Sequence, residues 1–339
     1  MKKRVRLTQL DGKLPNLALM KLAHWHRSKG HDVVLTRRAS RDLFEGRYDI
    51  VYGSAIFKFS RTKIDRFLAE WPDAIIGGTG TNSSRTVEEV IGHEGDYERF
   101  DYSDYPNFPG SIGFTQRGCR LSCKFCVVPT KEGKARSVNT INAIWRGGDR
   151  PKNIHLLDND FFGQPEDQWR ARIAEIRDGG FKVCLNQGIN VRHLTPDAAA
   201  ALASVEYRDD SFTKRRLYTA WDNFKDERIF FRGMDMLEAA GIPAKHVMAY
   251  MLVGFFKNET WGTIRYRFDR MVERGIRPYP MVFDCRATDS ARYRRLKQFQ
   301  RWAVTGLYRA VSFEEYDAGQ KARCKSAARQ ESLLLGAAA

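Results

Sequence analysis

Residues 111–126 read SIGFTQRGCRLSCKFC and hold three of the six cysteines in this 339-residue chain. The apolar start, Ser111–Thr115, predicts a short strand, and Gly118 predicts a turn into a loop that carries Cys119, Cys123 and Cys126. Six cysteines are too few for a disulfide scaffold in a chain of this length, and three of them within eight residues indicate metal ligation. The segment therefore predicts a strand followed by a metal-binding loop.

The C-x3-C-x2-C spacing allows three thiolates to hold one metal centre. A four-iron cluster held by three cysteines leaves one iron open to a chelating group from outside the protein. The alternative is a structural zinc site, which normally needs a fourth Cys or His at short spacing. The nearest downstream candidate is His155, so the spacing favours the cluster.

After the loop, apolar segments alternate with helical ones, which is the pattern of β/α units in a parallel sheet. Six such units predict a partial TIM-type barrel, in which the chemistry lies at the C-terminal ends of the strands. The predicted strands are Ser111–Thr115, Asn153–Leu157, Lys182–Asn186, Arg216–Ala220, His246–Val253 and Pro280–Asp284.

Before the loop, strands predicted at residues 3–10, 31–35, 49–53 and 74–78 alternate with helices at 15–30 and 63–71. This predicts a second parallel α/β sheet, with a crevice suited to ligands at its strand ends. The predicted domains are a Rossmann-like unit at 1–100, a turn-rich linker at 101–110, the barrel at 111–300 and a C-terminal extension at 301–339. The fold class is thus α/β in both major parts.

The cysteine loop resembles the signature of the radical S-adenosylmethionine superfamily, C-x3-C-x-aromatic-C, with Phe125 at the aromatic position near the adenine. The resemblance implies a [4Fe-4S] cluster on Cys119, Cys123 and Cys126. It also implies that S-adenosylmethionine binds the open iron through its amino and carboxylate groups and is cleaved reductively to a 5′-deoxyadenosyl radical. Such an enzyme needs a one-electron donor of the flavodoxin or ferredoxin type.

Leu156-Leu-Asp-Asn-Asp-Phe-Phe162 resembles the end of the second barrel strand in superfamily members that have an N-terminal cobalamin-type domain. The resemblance implies that Asp158 and Asn159 face S-adenosylmethionine, where either could accept a charge-assisted hydrogen bond from the ammonium group. Asp160 has the alternative interpretation of a polar cap on the next helix. Further pocket residues implied by their positions at later strand ends are Asn186, Asp222, Val253 and Gly254.

The first hundred residues, in which Gly77 and Gly78 end the fourth predicted strand, resemble the cobalamin-binding domain of cobalamin-dependent radical enzymes. The resemblance implies cobalamin as a further cofactor, although the Asp-x-His-x-x-Gly motif of some cobalamin domains is absent. The alternative is a reduced scaffold that keeps the fold without the cofactor.

The chain carries a net charge of +16, which attracts anionic partners, nucleic acid among them. Between Arg265 and Arg301 basic and aromatic residues interleave, which indicates either phosphate pairing and base stacking or two amphipathic helices with solvated arginines. A second hypothesis for the whole chain is therefore a basic nucleic-acid-binding protein whose cysteines hold a structural or redox-sensing metal cluster. Within the enzyme hypothesis, nucleic-acid modification such as methylation is one alternative.

No stretch of the sequence has the apolar length of a signal peptide or of a membrane helix, so we expect a cytoplasmic protein without a membrane partner. The isolated cysteines Cys184 and Cys285 fall in or beside predicted strands, where such a residue usually packs as a small apolar side chain.

Overall fold

The computed structural model describes residues 1–284 and 287–316. Two of the isolated cysteines, Cys285 and Cys324, lie outside these residues, as does the predicted C-terminal extension beyond residue 316. The strands are β1 Arg4–Gln9, β2 Asp32–Thr36, β3 Ile50–Ser54, β4 Ile75–Gly77, β5 Ser111–Gly113, β6 Gln116–Arg117, β7 Arg136–Ser137, β8 Asn153–Leu156, β9 Lys182–Leu185, β10 Glu206–Tyr207, β11 Leu217–Ala220, β12 Val247–Val253 and β13 Arg277–Val282.

The helices alternate with these strands over most of the described chain. They are α1 Leu17–Ser28, α2 Arg61–Glu70, α3 Val87–Ile91, α4 Val128–Lys131, α5 Ile141–Ile144, α6 Glu166–Asp178, α7 Pro196–Ala203, α8 Glu227–Ala239, α9 Trp261–Glu273 and α10 Ser290–Val304. The chain is thus mixed α/β, in agreement with the sequence pattern. None of the helices in the described residues is long and apolar enough to cross a lipid bilayer.

The chain divides into two compact units. The first unit contains residues 1–190 and 197–217, and the second contains residues 191–196 and the described residues from 218 onward. The division passes through the predicted barrel rather than between residues 100 and 111, and the four predicted domains stay a prediction.

The first unit contains two parallel sheets. In the N-terminal sheet the strand order is β2-β1-β3-β4, and in the other it is β10-β9-β8-β5. The central strand β1 is buried because Val5 and Leu7 lie between α1 and the rest of the sheet with no exposed surface. Helix α1 starts where the Asn16 side chain accepts a hydrogen bond from the Leu19 N–H.

Residues 101–110 contain no helix or strand, as predicted for a linker, but they pack into the first unit. The Tyr105 hydroxyl donates to Gln9 Oε1 at 2.9 Å and accepts from the Asn16 N–H at 3.2 Å. Tyr105 also packs against Met20 and Ile112, so apolar contacts join α1 to β5. The segment therefore ties the N-terminal sheet to the strand that leads into the cysteine loop.

The second unit contains a three-stranded sheet with the order β11-β12-β13, in which β12 and β13 are parallel. Helices α9 and α10 bury aromatic side chains, with Phe268, Phe299 and Trp302 at most 2% exposed. Their rings pack with centroids 5.1–5.6 Å apart, which stabilises the contact between the two helices.

All ten predicted strands overlap observed ones, but the short strands β6, β7 and β10 were not predicted. Each of these has two residues, too few to show a side-chain period. The predicted strand Ser111–Thr115 ends early, at Gly113, and the chain enters the antiparallel pair β6–β7 after it. That pair forms the base of the cysteine loop.

Candidate cysteine site

The cysteine loop leaves β6 and returns through α4 to β7. Gly118 opens it with φ +75°, and a β-carbon at this position would lie 2.1 Å from the Lys134 carbonyl oxygen. The Cys119 N–H then donates to the Gly133 carbonyl at 3.2 Å. The two ends of the loop are therefore in backbone contact, and only glycine fits where they meet.

The three cysteines of the loop are not joined in disulfide bonds and are each partly buried. Cys119 Sγ accepts a hydrogen bond from the Leu121 N–H at 3.4 Å, and the Cys126 N–H donates to the Cys123 carbonyl at 3.0 Å. Burial is the main cause that raises the pKa of the Cys119 thiol, and the nearby charges of Asp160, Cys123 and Cys126 add to it. Within residues 1–284 and 287–316, no three His, Cys, Asp or Glu side chains converge as a metal-ion site.

Arg120, inside the loop, forms a two-pronged ion pair with Asp160. Its Nε and Nη2 donate to the carboxylate at 2.8 and 3.0 Å, and its backbone N–H donates to the same carboxylate at 3.2 Å. Asp160 is 1% exposed and precedes a 3₁₀ turn without capping it. The interpretation of Asp160 as a helix cap is therefore wrong, because its carboxylate is engaged by the loop.

Glu132 connects the loop to the segment after β8. Its carboxylate accepts from the Gly118 N–H at 3.2 Å and from Asn159 Nδ2 at 2.8 Å, and Arg117 lies 3.5 Å away. Arg117 in turn pairs with Glu98, which also binds the buried Lys21 of α1. Ion pairs through Glu98 thus connect Lys21 of α1 to Arg117, the residue that precedes the loop.

Asp158 lies two residues after the end of β8 and is 2% exposed. One carboxylate oxygen accepts from the Thr115 N–H at 2.7 Å, and the other accepts from the Thr115 hydroxyl. Asp158 thereby joins the end of β8 to the chain between β5 and β6. Its neighbour Asn159 is less buried, and its Oδ1 has no hydrogen-bond partner among the described residues.

Burial raises the pKa of the Asp158 carboxyl to about 7, although the Thr115 hydrogen bonds act in the opposite direction. Because the folded-state pKa lies above the unfolded one, the folded state binds more protons than the unfolded state between about pH 4 and 7. Stability should therefore fall as pH rises through this range, by up to roughly 1.4 kcal/mol per pH unit. We expect Asp158→Asn, which imitates the protonated carboxyl, to lose this dependence.

Urea denaturation of wild type and Asp158→Asn at several pH values would measure the difference. Groups that titrate in both proteins cancel in this comparison. A stability difference that is constant between pH 4 and 8 would show that Asp158 does not titrate in that range.

Asn186, predicted for the pocket, directly follows β9. Its Oδ1 lies 3.2 Å from His155 Nδ1, on the neighbouring strand β8. Cys184, within β9, is fully buried, which agrees with the expectation of a small apolar side chain. In the first unit the carboxyl ends of β5, β8 and β9 therefore carry the cysteine loop, Asp158 with Asn159, and Asn186.

In the second unit, the predicted residues Asp222, Val253 and Gly254 lie around one buried ion pair. Arg267, which is 1% exposed, donates to the Trp221, Asp222 and Leu252 carbonyls at 2.7–3.1 Å and pairs with Glu259. Asp222 accepts from the Leu252 N–H at 2.9 Å, and Glu259 accepts from the Gly254 N–H at 2.6 Å. Burial raises the pKa of both carboxyls. Arg267 thus holds the ends of β11 and β12 together.

Sequence reasoning missed the residues that organise both clusters, which are Thr115, Arg120, Glu132, Glu259 and Arg267. The partners of these residues are distant in sequence or fall outside any periodic pattern. The only feature of the sequence that could have pointed to such residues was the charge within the cysteine loop.

Comparison of the chain with protein-family models, curated proteins and solved structures found no match.

Proposed function

We propose that this protein is a radical S-adenosylmethionine enzyme in which Cys119, Cys123 and Cys126 hold a [4Fe-4S] cluster. The observation that carries the proposal is the position of the C-x3-C-x-Phe-C loop. The loop comes after β5, the first strand of a parallel sheet along the chain, and the two-residue strand β6. It therefore lies at the edge of the sheet where the carboxyl ends of the neighbouring strands β8 and β9 also lie. A Rossmann-like N-terminal sheet and a partial (β/α)6 barrel are the finer fold assignments included in the proposal.

The donor chemistry of the loop fits the cluster. The three thiols form no disulfide and lie within eight residues, and the charges of Cys123 and Cys126 help to raise the pKa of Cys119. Cluster assembly requires their sulfur atoms to converge, and the base of the loop at Gly118 and Gly133 holds its ends together for that. When bound, the cluster would supply the electron that cleaves S-adenosylmethionine.

The chain's own residues would position the loop and the substrate. Arg120 with Asp160 holds the first turn of the loop, and the Leu121 N–H bond to Cys119 is of the kind that tunes the potential of an iron–sulfur cluster. Asn159 is better suited than Asp158 to accept from the ammonium group of S-adenosylmethionine, because Thr115 occupies both Asp158 oxygens.

Phe125, Asn186, Asp222, Val253 and Gly254 stay proposals for S-adenosylmethionine contacts. Cobalamin on the N-terminal sheet is a separate prediction, which an absorption spectrum after incubation with cobalamin and desalting would check. The one-electron donor is proposed as a flavodoxin or ferredoxin.

The test is anaerobic reconstitution of the full chain with iron and sulfide. Iron and sulfide content and the electron paramagnetic resonance signal of the reduced protein report the cluster. Addition of S-adenosylmethionine and dithionite should then yield 5′-deoxyadenosine and methionine. A fully reduced cluster that never cleaves S-adenosylmethionine would contradict the proposal and favour a structural or redox-sensing cluster.

A further inference from the structure

The arginines between Arg265 and Arg301 suggested a nucleic-acid surface from the sequence, but carboxylates already neutralise many of them. Arg267 and Arg292 approach Glu259 to 3.6 Å or less. Other ion pairs are Arg265–Asp269, Arg270–Glu273, and Arg274 with Asp235 and Glu238. Because charge that is balanced within the fold attracts phosphates weakly, these paired arginines are poor candidates for an anion-binding surface.

In contrast, an open groove in the first unit is lined by arginines that no carboxylate neutralises. It has a volume of about 900 Å³, and Arg99, Arg146 and Arg150 line it. None of these arginines has a carboxylate within 4 Å in the part of the chain that the structure describes. The groove therefore presents three guanidinium charges without an acidic partner.

The acidic groups at the groove are neutralised by bases. Glu98 binds Lys21 at 2.7 Å and Arg117 at 2.9 Å, and Asp101 binds Arg27 at 2.7 Å. Two pKa shifts agree with a positive groove. Burial and then the charge of Arg99 lower the pKa of His24, and burial and then Arg150 lower the pKa of Arg146.

Aromatic rings lie among these arginines. Phe100, Tyr102 and Trp145 line the groove and are partly exposed. The Arg146 guanidinium lies 4.3 Å from the centre of the Tyr102 ring and donates to the Phe108 carbonyl at 2.8 Å, which fixes its position. Unpaired arginines beside aromatic rings match the chemistry of a ligand that alternates phosphates with flat bases.

We propose that this groove, named here the Arg99–Arg150 groove, binds single-stranded nucleic acid. Arg99 and Arg150 pair with phosphates, and Trp145 contacts a base. The inference stands on charge and aromatic placement, and it does not depend on the radical chemistry proposed above.

The test measures binding of the full chain to a fluorescein-labelled oligouridylate or oligothymidylate of about 15 nucleotides by fluorescence anisotropy. The variant is Arg99→Gln with Arg150→Gln, since both side chains are exposed and neither forms a hydrogen bond or ion pair with the described residues. We expect roughly tenfold weaker binding and a salt dependence with a slope lower by about 1.4, from the loss of two phosphate contacts.

The matched control is Arg294→Gln with Arg301→Gln on α10, which removes the same charge from two exposed arginines that pair with no carboxylate among the described residues. It should weaken binding by less than twofold. In addition, oligonucleotide should quench wild-type tryptophan fluorescence more than that of Trp145→Phe. Equal weakening in both double variants, or no salt-dependent binding by wild type, would overturn the proposal.

Discussion

Replacement of Cys123 by alanine is expected to abolish formation of 5′-deoxyadenosine, with a loss of at least about a thousandfold. Cys123 is the middle one of the three proposed cluster ligands, and its carbonyl accepts a hydrogen bond from the Cys126 N–H. Alanine keeps the backbone bond and removes only the thiol. The reconstituted variant should therefore fold normally but lack the iron content and the reduced-cluster signal of the wild type.

Cys184→Ala provides the matched control, because it removes a thiol from β9 that is fully buried within the sheet. This variant should retain wild-type iron content and product yield, with a small loss of stability from the lost packing. Iron content that falls equally in both variants would indicate a general effect of cysteine loss, and undiminished product from Cys123→Ala would exclude the proposed ligand set.

Gly118→Ala is expected to destabilise the protein by about 3 kcal/mol or more, because two costs add at this position. The backbone is left-handed with φ +75°, and the new β-carbon would lie 2.1 Å from a backbone oxygen that cannot move aside as a side chain can. Relief of this contact requires the ends of the cysteine loop to separate. Chemical denaturation would measure the free energy of unfolding, and iron content after reconstitution would show whether the cysteine loop still binds iron.

Gly133→Ala is the control for conformation alone. Gly133 lies at the other end of the same loop with φ +74°, but a β-carbon there meets no atom within 4 Å. It should cost only the left-handed strain of about 1 kcal/mol and leave iron uptake intact. Similar losses for both glycine variants would show that the close approach of Gly118 to Lys134 does not matter.

The sequence alone predicted the α/β class and all ten longer strands, because buried strands and amphipathic helices show their periods within a few residues. Gly118 also predicted where the cysteine loop begins, because a glycine after a strand is typical of a turn. Local pattern was enough for each of these conclusions.

Only the tertiary structure decided which polar groups meet. Asp158 and Asn159 are neighbours with similar side chains. Both carboxylate oxygens of Asp158 accept hydrogen bonds from Thr115, whereas the Oδ1 of Asn159 accepts none among the described residues. Likewise, Arg267 and Arg292 in the arginine-rich segment pair with Glu259. Arg99 and Arg150, which the sequence did not single out, line a groove and pair with no carboxylate among the described residues. Hydrogen bonds and ion pairs depend on groups brought together from distant segments, and no local period in the sequence records them.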